Sequence, residues 1–212
     1  MGLYDIYLAV RHRRHKASPP THVALVLTEH DLLVDGGFDM LETSLRWMLH
    51  YGAECVTVSV SVLDDSIVPT LTGKLQQLDT PEPFVVHSPH DKNSASNPTA
   101  AVDAVDSPIR ITVGLGGKAE FAAAVRELAT DVDAGRLTPD AIDAKEVTDR
   151  LVLSEEPDLV IKTGAERLSD FAIWQSVYSE LYFIDVNWRD FRRRDYLRAV
   201  LDFQDRQRRF GR

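Results

Sequence analysis

His22-Val23-Ala24-Leu25-Val26-Leu27 is a short apolar run, the pattern of a strand covered on both faces inside a parallel sheet. Upstream, Leu3, Tyr4, Tyr7, Leu8 and Arg11 fall at helical spacing and predict a helix over residues 3–15, which Pro19 and Pro20 stop. Downstream, apolar residues at 38, 41, 45, 48 and 49 predict a helix from Phe38 to Tyr51, closed by Gly52. From Cys55 to Val62, Val alternates with Thr or Ser, the signature of a strand. The order that starts at residue 22 is therefore strand, helix, strand.

The same order continues. Residues 79–108 hold five prolines and many small polar residues, which predicts a loop-rich insert broken by a strand at Phe84–Val86. Ile109–Val113 and Asp158–Ile161 read as strands, and Leu181–Phe183 as extended chain. Helices are expected over Ala119–Val132, after Thr138-Pro139, over Phe171–Tyr178 and over Arg192–Arg208. Alternation of this kind predicts one α/β domain over residues 1–212, with a mostly parallel sheet flanked by helices and a basic C-terminal helix and tail over 192–212. Ligands in such folds bind at the carboxyl ends of strands, here after Leu27, Val62, Val113 and Ile161.

The chain of 212 residues carries 33 acids and 24 bases, a formal charge of −9. The excess is uneven. Residues 189–212 hold nine Arg against four acids, so the remainder carries 15 bases and 29 acids, or −14. Cys55 is the only cysteine, which excludes an internal disulfide framework and a zinc site built on cysteines. No apolar run approaches the ~20 residues that span a bilayer. Met1-Gly2-Leu3-Tyr4-Asp5-Ile6 is neither a signal peptide nor a myristoylation signal, so a cytoplasmic protein is expected.

Residues 158–171 read Asp-Leu-Val-Ile-Lys-Thr-Gly-Ala-Glu-Arg-Leu-Ser-Asp-Phe. Trp174-Gln175, Tyr178-Ser-Glu-Leu-Tyr-Phe183, Asp185-Val-Asn-Trp188 and Arg208-Arg-Phe-Gly211 follow. Together these resemble the cis-prenyltransferases, the undecaprenyl diphosphate synthase family, which has the same motifs in the same order. The resemblance is dense over 158–211. Upstream it rests on Gly114-Leu-Gly-Gly-Lys118, on residues 22–27 and on Tyr51-Gly52 to Val58. It implies condensation of isopentenyl diphosphate onto an allylic diphosphate, with magnesium as the cofactor and isoprenoid diphosphates as ligands. It places isopentenyl diphosphate contacts at Lys162, Arg167 and Ser169 and a metal carboxylate at Glu180. It also implies a dimer with Phe171, Ile173, Trp174, Tyr178, Leu181, Tyr182 and Phe183 at its core, and a lipid product that brings the protein near a membrane.

The first half of the family's site is different here. Where the family has Asp-Gly-Asn-Gly-Arg-Trp, this chain has Thr28-Glu29-His30-Asp31-Leu32-Leu33. Thr28 stands at the position of the catalytic Asp. Glu29 and Asp31 put negative charge where a diphosphate sits, and like charges a few Å apart cost on the order of several kcal/mol at intermediate dielectric. Of the following Gly-His-x-x-Gly only Gly37 is present, with Val34 at the His place, and the stretch between Asp65 and Phe84 is too short for the family's long tunnel helix. Lys162 replaces an Arg, keeping charge without the bidentate fork. Some family members are heteromers whose degenerate subunit donates a C-terminal Arg-x-Gly to the partner's site, and this chain ends Arg209-Phe210-Gly211-Arg212. The expectation is a catalytically degenerate subunit, homodimeric or paired with an active cis-prenyltransferase homologue, with Arg209 and Gly211 acting in trans. The alternative is an active short-chain synthase with a rearranged metal site, in which Glu29, Asp31 or Asp35 replaces the missing Asp.

Other features read as structural. His87-Ser-Pro-His90-Asp91 has metal-ligand residue types but no helix to fix them. Gly116-Gly117-Lys118 lacks phosphate-loop spacing and suits a tight turn into a helix. The Arg-rich tail has a nucleic-acid reading. Against it stand the acidic body and intrahelical pairs such as Asp202 with Arg206 and Asp205 with Arg208 or Arg209, so no nucleic-acid partner is expected.

Overall fold

Six strands form one sheet in the order β3-β4-β2-β1-β5-β6, with every neighbouring pair parallel. The computed structural model describes residues 2–88, 107–164 and 174–206. The strands are β1 His22–Thr28, β2 Cys55–Ser61, β3 Phe84–His87, β4 Ile109–Val113, β5 Leu159–Thr163 and β6 Glu180–Ile184. The helices are α1 Leu3–Arg13, α2 Glu29–Leu33, α3 Gly37–His50, α4 Val68–Leu75, α5 Gly117–Asp133, α6 Ala144–Thr148 and α7 Arg193–Asp205. The expected α/β architecture is what the chain adopts.

The two faces of the sheet differ, and the alternation in the sequence is the cause. On β1, β2 and β4, Val23, Leu25, Leu27, Val56, Val58, Val60, Ile109, Ile111 and Val113 point to one face. There they pack with Leu41, Leu45 and Met48 of α3, Leu71 and Leu75 of α4, and Tyr196, Leu197 and Val200 of α7. On the other face, among the described residues, Ala24, Val26 and Val160 form a small apolar cluster. The residues alternating with the first set include His22, Thr57, Ser59, Arg110, Thr112 and Lys162, all buried and polar.

The start of the sheet is pinned by Asp158. Its Oδ2 accepts from the Thr21 N–H and hydroxyl, both at 2.8 Å, and from the His22 N–H at 3.1 Å. These bonds hold β1 beside β5. At the opposite end, Trp188 donates its indole N–H to the Gly37 carbonyl at 2.9 Å, joining the segment after β6 to the start of α3.

Several expectations are corrected. Thr138-Pro139 starts only a single 3-10 turn, Pro139–Ala141, because Asp143 caps a separate helix, α6, through a bond from the Glu146 N–H. Within the expected helix 171–178, residues 174–178 form a turn, and 171–173 lie outside the described residues. Asp205 pairs with Arg11 at 2.8 Å and His15 at 2.9 Å, across to α1, while Arg208 and Arg209 lie outside the described residues. The pair Asp202–Arg206 forms at 2.6 Å as expected.

Gly37 is the tightest point of this frame. A Cβ there would stand 2.4 Å from the Asp31 carbonyl oxygen and 2.6 Å from that of Leu32. Gly73, inside α4, has nothing within 4 Å. Gly37→Ala is expected to destabilise by about 2 kcal/mol or more, as strain against backbone does. Gly73→Ala is expected to stabilise by about 0.5–1 kcal/mol. Urea denaturation of both variants checks the contrast.

Candidate functional site

Strand order reverses between β1 and β5: the chain runs from β1 to β2, on to the outermost strand β3, back to β4 between them, then crosses over to β5. The crevice at the carboxyl ends of β1 and β5 is therefore the place for a ligand. Thr28 ends β1, Ser61 ends β2 and Lys162-Thr163 ends β5. Val26 is the register partner of Lys162, which puts the lysine one strand away from the end of β1.

Thr28 is fully engaged. Its N–H and hydroxyl donate to Asp31 Oδ2 at 2.9 and 2.8 Å, and the Asp31 N–H approaches Thr28 Oγ1 at 3.3 Å. This is a capping box, two side chains satisfying each other's backbone donors at a helix start. It converts the residues after β1 into α2. Glu29 accepts the Leu63 N–H at 3.1 Å, joining α2 to the segment after β2. The segment where the resemblance implies a phosphate cradle is a short, acid-lined helix.

Lys162 presents the opposite situation. It is 3% exposed, its Nζ donates to the Thr163 carbonyl at 2.9 Å, and no carboxylate pairs with it among the described residues. An ammonium has three N–H donors, and burying its charge without a counterion is costly. Beside it the Thr163 hydroxyl is buried with no hydrogen-bond partner among the described residues. The chain then turns at Gly164, φ +81°, whose N–H is shared between the carbonyls of Ile184 and Val186 at 3.0 and 2.9 Å. A buried cation at a strand end, followed by a glycine turn, suits an anion. Arg167 and Ser169, the other expected contacts, lie outside the described residues, as do Arg209 and Gly211.

Glu180 stands elsewhere. It opens β6, level with Leu159 of β5 and Val23 of β1, whereas Thr28 closes β1. At ~3.3 Å per residue and ~4.8 Å per strand, the two are roughly 20 Å apart. The Glu180 carboxylate accepts from Arg206 at 2.7 Å. Glu180 and the end of β1 therefore share no cation within one chain.

The cluster with metal-ligand types is another one. Ligand atoms of His22, Cys55 and Glu155 lie within 4.8 Å of one another at the amino ends of the strands. Sequence reasoning missed it because the three come from separate segments. Glu155 is held by the Arg110 guanidinium at 2.9 Å, which keeps its carboxyl below the usual range. His22 bonds Thr57 Oγ1 at 2.8 Å, and burial pushes its imidazole down and the Cys55 thiol up. A cation there would have to displace an ion pair.

The glycine turn into α5 is as expected, with Gly114 at φ +69° and Gly116 capping. Glu120 of α5 is buried. It accepts from the Leu153 N–H at 3.0 Å and lies 3.5 Å from Gln175 Nε2, which donates to the Leu153 carbonyl at 2.5 Å. Trp174 donates to Thr148 Oγ1 at 3.0 Å and stacks on Phe121. These contacts fix the Trp-Gln segment against α5 and α6.

A family model described as putative undecaprenyl diphosphate synthase matches residues 88–211. A tritrans,polycis-undecaprenyl-diphosphate synthase (geranylgeranyl-diphosphate specific) of Methanopyrus kandleri is 49% identical over 110 residues, 50% of this chain and 41% of that protein. Isoprenyl transferase 1 of Corynebacterium efficiens is 45% identical over 117 residues, 52% of this chain and 46% of that protein. The chain thus spans less than half the length of these relatives. Among solved structures, lavandulyl diphosphate synthase from Lavandula x intermedia, in complex with dimethylallyl diphosphate, superposes with a TM-score of 0.67 at 22% identity, covering 92% of this chain and 99% of that one. A probable undecaprenyl diphosphate synthase from Campylobacter jejuni gives 0.64 at 17% identity, covering 91% and 99%. These two likenesses concern the fold.

Burial raises the Glu120 carboxyl above its ordinary value, against the hydrogen bonds that lower it. A carboxyl raised in the folded state contributes stability below its unfolded pKa, about 4.3, and loses it as pH rises through the folded value. Glu120→Gln is therefore expected to gain on the parent between pH 4 and neutrality, as read by urea midpoints across that range.

Proposed function

The chain belongs to the undecaprenyl diphosphate synthase family, the cis-prenyltransferases, and from that premise we propose that it serves cis-prenyl diphosphate synthesis as a degenerate subunit supporting an active homologue. The reaction served is condensation of isopentenyl diphosphate onto an allylic diphosphate. The observation that carries the reading is the capping box at the end of β1. Thr28 occupies the position of the family's catalytic Asp, and its hydroxyl and N–H are spent on Asp31. Neither group is then available to an allylic diphosphate, and Glu29 and Asp31 repel one.

The retained half supports binding without chemistry. Lys162 supplies a buried positive charge for the diphosphate of isopentenyl diphosphate, with Arg167 and Ser169 as further donors by family resemblance. Magnesium does not fit the described residues of this chain. A hard divalent cation needs converging oxygens, yet Asp31 is turned onto Thr28 and Glu180 onto Arg206 at the far end of the sheet. A metal used in the reaction belongs, on this reading, to the partner's site. Pairing is supported by β6, the edge strand among the described residues, where Leu181 and Phe183 are exposed beside Val177 and Tyr178. Arg209 and Gly211 are proposed to enter the partner's site.

The test is an assay with labelled isopentenyl diphosphate, a geranylgeranyl primer and magnesium. The chain alone is expected to give no polyprenyl product, and co-expression with a full-motif homologue to raise that homologue's turnover. Arg209→Ala is expected to cancel the rise without preventing co-purification. Extension of the primer by the chain alone at ordinary enzyme rates, on the order of 1 per second or faster, contradicts the proposal and points to an active short-chain synthase.

A further inference from the structure

Helix α1 turns its apolar side outward. Leu8 is its buried residue, and Asp5, Ala9 and His12 share that inner side, half-buried. Leu3, Ile6, Tyr7 and Val10, spaced three and four apart, line the outer side, with Leu3 88% and Tyr7 58% exposed. The inner side is fastened by polar bonds to α7 and the segment after α1. Arg11 and His15 pair with Asp205, His12 bonds Gln204 at 3.2 Å, and Gln204 reaches the Ala17 carbonyl at 2.7 Å. Arg193 stands 3.8 Å from Asp5, and the Arg198 guanidinium lies over the Tyr4 ring at 5.2 Å. The helix cannot roll its apolar stripe inward without breaking these bonds.

The charge around the stripe has the opposite sign to the chain. Residues 2–16 carry four bases, Arg11, Arg13, Arg14 and Lys16, against Asp5, in a protein of net −9. Arg13, Arg14 and Lys16 are exposed and in no ion pair among the described residues. Tyr4 and Tyr7, with an apolar body and a polar tip, suit a boundary between water and hydrocarbon. The exposed apolar area of Leu3, Tyr4, Ile6, Tyr7 and Val10 is on the order of 500 Å², short of the ~800 Å² per partner of a stable protein interface. It lies on a single convex helix. A few inserted side chains plus basic charge are enough for an anionic lipid surface.

We propose that α1 is a bilayer-docking helix: Leu3, Ile6, Tyr7 and Val10 enter the headgroup boundary of an anionic membrane, and Arg13, Arg14 and Lys16 meet its phosphates. This goes beyond the prenyl-transfer reading and does not depend on it, because it needs neither catalysis nor a lipid product. The test is flotation of the full chain with vesicles of phosphatidylcholine, alone or mixed with phosphatidylglycerol. The chain is expected to float with the mixed vesicles and to lose retention at high salt. Arg13→Glu/Arg14→Glu is expected to reduce bound protein on the order of tenfold or more. Leu3→Ser/Tyr7→Ser/Val10→Ser is expected to abolish flotation, with an unchanged circular dichroism spectrum and melting temperature. No flotation of the parent, equal retention on both vesicle types, or a triple variant that floats like the parent overturns the proposal. So does a parent that dimerises in sedimentation while the triple variant is monomeric and floats equally, which would give the stripe to a second copy.

Discussion

At the end of β1 a threonine and an aspartate satisfy each other, and the reading of the whole site depends on that exchange. Two bonds from Thr28 to Asp31 and one returning N–H nucleate α2 directly on the strand. A cap of this kind is worth about 1 kcal/mol. It also consumes the donors and turns the carboxylate inward. Gly37 then has to sit against the last carbonyls of that segment, and Trp188, from the segment after β6, closes over Gly37. Stability at the β1 end and a phosphate cradle there would be competing uses of one loop, and the capping box serves the first.

The sheet shows the same division on a larger scale. One face is a continuous apolar core shared by α3, α4 and α7. The other carries buried polar side chains, tied at the amino end by Arg110, Glu155, His22 and Thr57 and left open in charge at the carboxyl end by Lys162. The family model starts at residue 88, after β1, β2 and β3, yet those strands still pair in register with the rest. Retention of a fold needs burial and hydrogen bonding. Retention of a site needs particular donors at particular atoms, and among the described residues Lys162 on the β5 side is the one proposed to be kept.

The four inner strands β1, β2, β4 and β5 were legible because each is a buried run of β-branched or alternating residues; Ile109–Val113 lies where the pattern put it. The short helices were not. α2 has five residues and α4 eight, too few turns for a periodic pattern; α2 forms by its Thr28 cap, and α4 by Pro69 in its first turn and by packing of Val68, Leu71 and Leu75. The Thr28-x-x-Asp31 signal was present in the sequence and could have been read as a helix start. Residues 174–178 carry helix-compatible side chains, but Trp174 and Gln175 are committed to Thr148 and the Leu153 carbonyl, so tertiary contacts override propensity. The partnership of Asp205 with α1, and the cluster of His22, Cys55 and Glu155, join residues distant in sequence that no spacing rule connects.

The central claim is that one of the two diphosphate-binding halves remains, the one at Lys162, and that the half at Thr28 has become a helix cap. Calorimetric titration of the purified chain with inorganic diphosphate tests it most directly. The account predicts one site per chain, weakened on the order of tenfold or more by Lys162→Met, which keeps the buried volume and removes the charge. Two sites per chain, or a single site indifferent to Lys162→Met, would contradict it.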